Sequence, residues 1–161
     1  MFSPDALTLL ISRVSAAGEI LRGEAGSGGW QRIRDAGCHL DGAHVDLVLQ
    51  RIGEVVVADG IIVVHGKVRC DRCLDPTPWT ARIGVRIGVA ESEEAVEKVD
   101  PDRDPVLSHN GVLDLQEWLE EEVLLSLPMA PRCVEWEAGC CPVSGVEVPA
   151  CDAVPQSEER R

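Results

Sequence analysis

The sequence predicts an α+β fold: a curved antiparallel sheet or partial β-barrel packed with a C-terminal helix. Two observations carry this. From residue 44 to 90 the apolar residues recur with a period of two, in β-branched runs separated by Gly, Asp and Pro. Near residue 114 the period changes to that of an amphipathic helix.

In chain order, residues 6–22 (ALTLLISRVSAAGEILR) read as one short helix, with Leu7, Leu10, Ile11 and Val14 on a stripe. GEAGSGG at 23–29 reads as a flexible loop. Its glycines neither follow a strand nor end in GK[ST], so a phosphate cradle is not indicated. The strand region opens with HVDLVLQR, which sets Val45, Leu47 and Leu49 on one face. EVVVADG and IIVVHGKVRC follow as further runs, then the turn LDPTP, then WTARIGVRIGV with Ile83, Val85, Ile87 and Val89 on one face. Gly66, Gly84 and Gly88 inside these runs suggest bulges or bends of a curved sheet. Residues 91–110 are acidic and bear prolines, and read as an exposed loop. The clearest helix comes next: Asp114 is placed to cap it, with Glu117 three positions on, and Pro128 stops it. Leu115, Trp118, Leu119, Val123 and Leu127 share a face, while Glu120 and Glu121 are expected to point away. The expected organisation is an N-terminal helix and loop over 1–43, one α+β domain over 44–145, and a weakly ordered tail over 146–161.

The chain of 161 residues holds only five aromatics, so its core must be built from Val, Ile and Leu. No apolar run approaches the ~18–20 residues that cross a bilayer. The opening MFSPDALTLLISRV lacks a basic n-region and a small-residue cleavage site, which implies a mature, cytoplasmic protein. In that compartment seven cysteines are thiols or metal ligands rather than a disulfide framework.

The net charge of −13 is unevenly placed. Residues 1–90 hold ten acids and ten bases, whereas residues 91–161 hold eighteen acids and five bases. An acidic half repels nucleic-acid phosphates and favours basic protein partners. Glu120 and Glu121 are the candidate partner-binding acids, with Arg72 exposed between the cysteines. Against this, Lys67, Arg69, Arg82 and Arg86 alternate on the solvent faces of the strands flanking the cysteine turn. They are either a solvated face or a small cationic stripe able to touch RNA backbone.

Cys70-Asp-Arg-Cys73 sits where a strand ends and turns. Two thiolates three apart in a tight turn supply half of a tetrahedral zinc site. A redox motif would set a cysteine at a helix N-terminus, but LDPTP follows here. A pair of ordinary turn cysteines is the third reading. Cys133 with Cys140 or Cys141 could complete a site, although no second CxxC exists. The four histidines are scattered, no HExxH, GxSxG or Walker pattern occurs, and nothing marks a small-molecule substrate. No set of residues makes the chain an enzyme.

Three stretches come in a characteristic order: GKVRCDRCLDP (66–76), GVLDLQEWLEEEVLLSLPMAP (111–131) and CVEWEAGCCPVSG (133–145). Together they resemble the YceD family, the large ribosomal RNA subunit accumulation proteins, over roughly residues 44–145. That pattern has a strand leading into C-x-R-C-L, a Glu-rich helix ending in L-x-L-P, and in many members C-x3-C-x-G-L-C-P-x-C-G. Here Gly139, Cys141, Pro142 and Gly145 fit, but Glu137 and Ser144 stand at two cysteine positions and Cys140 replaces the leucine. Two of the four tail thiols are thus missing, which leaves Cys70, Cys73, Cys133 and Cys141 as a mixed candidate set for zinc. The resemblance implies a non-enzymatic role in synthesis, processing or stability of the large-subunit (23S) rRNA. The charge adds an acidic adaptor for basic ribosome assembly proteins, with the rRNA precursor as the other candidate partner. The rival classes are a thiol–disulfide oxidoreductase using the CxxC, and a zinc-stabilised interaction module unrelated to ribosomes.

Overall fold

The computed structural model describes residues 8–26 and 28–133. Among these the elements run β1 (Thr8–Leu10), a 3-10 turn (Ile11–Arg13), β2 (Glu19–Ala25), α1 (Gln31–Asp35), β3 (Cys38–Ile52), β4 (Val55–Arg69), β5 (Pro76–Ala90), α2 (Glu93–Val96), β6 (Asp104–Leu107), β7 (Val112–Asp114) and α3 (Leu115–Ser126). Five strands form one sheet in the order β2-β3-β4-β5-β6, and β1 pairs with β7 beside it. The sheet does not close into a barrel, so the α+β expectation holds with an open, mixed sheet. Its one parallel pair is β5 with β6.

Three strands of fifteen residues each make the body of the sheet. Their alternation works as read. Val45, Leu47 and Leu49 of β3, Ile62, Val64 and Val68 of β4, and Val85, Ile87 and Val89 of β5 are all buried on one face. The stretches EVVVADG and IIVVHGKVRC, expected as separate runs, are one strand. β4 passes through Asp59-Gly60 without a turn because the neighbouring strand comes very close there: a Cβ at Gly60 would lie 2.1 Å from the Asp46 carbonyl oxygen. Only glycine tolerates that approach. Gly66 serves the same purpose against His39, next to the register shift between Leu40 and Gly42.

Three other expectations are corrected. Residues 8–25 are not a helix and loop: β1, the 3-10 turn and β2 replace them, and β2 extends through Ala25. Of the expected stripe Ile11 and Val14 are buried, Leu10 is exposed and Leu7 lies outside the described residues; the segment is held by strand pairing and by Arg51. Arg51 donates to the carbonyls of Ile11 and Val14. The boundary expected after residue 43 falls inside β3, which pairs with β2. Residues 91–110 contain α2 and β6, too short to announce themselves in composition.

α3 is capped as expected: the Asp114 carboxylate accepts the backbone N–H of Glu117 at 3.0 Å. Leu115, Trp118, Leu119 and Val123 face inward and join the core of the sheet. Glu120 does not point away. It is 6% exposed and its carboxylate accepts the backbone N–H groups of Arg32 at 2.8 Å and Ile33 at 3.3 Å, which fixes α1 against α3. None of the helices among the described residues is long and apolar enough to cross a membrane.

Candidate metal centre

β4 delivers Cys70 to the end of the sheet, and the chain turns at once. The Cys70 carbonyl accepts from Leu74 N–H, and Cys70 N–H donates to the Asp75 carbonyl, both at 2.9 Å. Closing this turn puts Leu74 at φ 65°, a left-handed conformation unusual for a branched side chain. Pro128 sits beyond the end of α3, and the following residues return to the same turn, where Asp71 N–H donates to the Pro131 carbonyl at 2.9 Å. That bond seats Cys133 beside the CxxC.

The three sulfurs lie within 4.8 Å of one another. Cys73 Sγ and Cys133 Sγ are 3.8 Å apart, and Cys133 N–H donates to Cys70 Sγ at 3.4 Å. Zinc binds thiolate at ~2.3 Å, so tetrahedral geometry places neighbouring sulfurs about 3.8 Å apart. A disulfide needs ~2.05 Å. The donor set therefore fits a zinc ion. Cys70 is fully buried, Cys133 nearly so, and Cys73 is partly exposed. The Cys70 thiol is lowered to about 6, first by the Cys73 backbone N–H, against burial, which raises it, with further help from the N–H groups of Arg72 and Cys133 and the Cys73 side chain. Amides aimed at one sulfur favour its thiolate, the form a metal needs. Cys38 is different: it stands apart from this cluster and burial pushes its thiol up.

Of the other predicted residues, Cys141 lies outside the described residues, as do Cys140 and the tail. Arg72 is exposed between the two cysteines. Lys67, Arg69, Arg82 and Arg86 are exposed and occupy one face of the β4–β5 pair, as their parity required. They do not form one cluster. Arg86 is paired across the strands with Asp59, whose carboxylate takes two bonds from Arg103 at 2.8 and 2.9 Å. Lys67 and Arg69 lie instead at the cysteine end. Glu121 is exposed and 3.4 Å from Arg32. Glu120 is spent on α1.

The matched family model is described as "Large ribosomal RNA subunit accumulation protein YceD", and it covers residues 58–161, well over half of the chain. The chain belongs to the YceD family. The match begins inside β4 and takes in the CxxC turn, α3 and Cys133. Two proteins of Mycobacterium tuberculosis strains and one of Mycobacterium bovis, each named only as uncharacterized, are 26% identical over 112 residues. The alignment takes 70% of this chain, and the chain spans about half (53%) of the length of these curated relatives. No solved structure matches.

Proposed function

We propose that this YceD protein is a non-enzymatic cytoplasmic factor supporting synthesis, processing or stability of the large-subunit rRNA. Its CxxC corner is a structural zinc site. The observation that carries this reading is the convergence of three thiols, two of them buried, within the stretch that matches the family. Closed sulfur sites hold folds together, whereas catalytic zinc keeps an open position. Cys70, Cys73 and Cys133 would hold the ion, with Cys141 as the fourth ligand. When bound, the ion ties the end of α3 to the end of β4. The acids after residue 90, Glu121 and Glu117 among them, supply a negative surface for a basic assembly protein. Attraction of that kind speeds encounter and is screened by salt.

A second reading, thiol–disulfide exchange, is favoured by the lowered Cys70 thiol. Exchange also needs access to the attacking sulfur, and Cys70 is fully buried. The deciding experiment deletes the gene and measures large-subunit against small-subunit rRNA. The native chain should restore the large-subunit rRNA, and a Cys70→Ser/Cys73→Ser chain should fail. Unchanged rRNA in the deletion overturns the function. Full rescue by the double serine variant overturns the role of the thiols.

A further inference from the structure

We propose that the groove at the cysteine end of the sheet binds the sugar–phosphate backbone of single-stranded RNA. The proposal rests on the role in rRNA accumulation given above and names a second surface for it, separate from the acidic one.

The groove lies where β3 begins, β4 ends and β5 begins, and encloses about 430 Å³. Arg34, His39, Lys67 and Arg69 line it, and none of its described lining residues is a carboxylate. The register explains how these cations meet. His39 lies directly opposite Lys67, and Arg69 follows two residues on along the same face. Side chains two apart on a strand stand ~7 Å from each other, a spacing that suits successive phosphates of one strand. Arg34 comes from α1, whose place is fixed by Glu120. His39 keeps Asp41 as a neighbour at 3.9 Å, so three full cations carry most of the charge.

The acidic segment after β5 does not cancel this. Gly88 of β5 packs against Val99 of the acidic segment and pairs with Val57 of β4. Lys67 is ten residues farther along β4, roughly 33 Å at ~3.3 Å per residue. That is several times the ~8 Å Debye length at physiological salt, so the charges of that segment are screened from the groove. The acids of the α2 segment thus lie at the far end of the strands from Lys67 and Arg69, and the nearer ones are Asp41, Asp71, Asp75 and Glu121. Beside the cations stand Leu74, which is 59% exposed, and Pro76, with no aromatic platform among the described residues. Contacts to phosphate without base stacking give binding with little sequence preference.

The test uses the full chain and a short labelled single-stranded fragment of large-subunit rRNA, followed by fluorescence anisotropy. The native chain should bind. Replacing Arg34, Lys67 and Arg69 by Ala should weaken binding at least tenfold, while Arg86→Ala stays within about twofold. With three phosphates neutralised, log K should fall against log salt with a slope of about −2, near 20-fold between about 50 and 200 mM. All four residues are exposed, and circular dichroism checks that the variants stay folded. Equal losses in both variants, or an unaffected triple variant, would overturn the proposal. So would a native chain that leaves the RNA unbound, the result expected if the groove takes an acidic protein. None of these outcomes bears on the deletion experiment, which tests the rRNA role by itself.

Discussion

Glu120 of α3 holds the backbone of Arg32 in α1, 88 residues earlier, through a carboxylate oxygen 2.8 Å from the amide nitrogen. The same oxygen accepts from Ile33. A buried charge is stable only when its hydrogen bonds are made, and here it makes them to the open end of a short helix. The neighbouring Glu121, one residue along, is exposed and pairs with the Arg32 side chain.

These two adjacent acids should therefore behave differently. Glu120→Ala should cost ~1–3 kcal/mol, because two backbone donors lose their acceptor. Glu121→Ala should change stability by less than ~0.5 kcal/mol, as expected of an exposed pair. Urea unfolding of both variants measures the difference. Equal effects would show that the Glu120 bonds contribute nothing net.

Leu119 is 2% exposed under the core of the sheet. Leu119→Ala should cost ~2–5 kcal/mol, since the transfer energy is lost and a cavity remains. Leu125 is 83% exposed, and its replacement by Ala should cost far less. A loss well under 1 kcal/mol at Leu119 would mean that the stripe is not packed in solution.

Purified protein should contain about one equivalent of zinc, and chelator should lower its melting temperature, because binding energy is folding energy at such a site. Cys133→Ser should lose metal as completely as Cys70→Ser. Cys38→Ser, which stands outside the cluster, should keep it. Metal analysis by mass spectrometry distinguishes these outcomes. Metal-free protein with unchanged stability would leave the three thiols as ordinary cysteines.

Burial raises the Glu122 carboxyl above its ordinary value of 4.5, the Asp104 and Glu121 charges add to the rise, and the nearby Trp118 indole works against it. A carboxyl raised in the folded state favours folding at low pH, and that advantage is lost as pH climbs through the raised value. Glu122→Gln should thus raise the melting temperature at neutral pH, and the gain should vanish below the ordinary value. Melting curves across pH 3–8 would show it. A gain that is constant with pH would assign the effect to something other than ionisation.

The sequence by itself determined the sheet-facing residues of β3, β4 and β5, the capped α3 with its Pro128 stop, and the family, since each depends on local periodicity, a local cap or a contiguous motif. It also brought Cys70 and Cys73 together as a candidate pair, open to metal, redox and plain turn readings, because three-residue spacing in a turn is a local property. Tertiary structure decided the rest. The pair Ile11 and Val14 suits a helix or a buried turn equally well, and only pairing of β1 with β7 and the reach of Arg51 chose the turn. Strand β6 is four residues long and exists because the edge of β5 was available to it. Glu120 and Glu121 look alike on a helix, and the position of α1 alone made one a buried cap and left the other at the surface. Cys133 stands 60 residues from Cys73, and no spacing rule brings them together; the Asp71–Pro131 bond does. Arg34 reaches Lys67 and Arg69 for the same reason. Contacts between residues far apart in sequence depend on where whole elements pack, and that is settled only when the core closes.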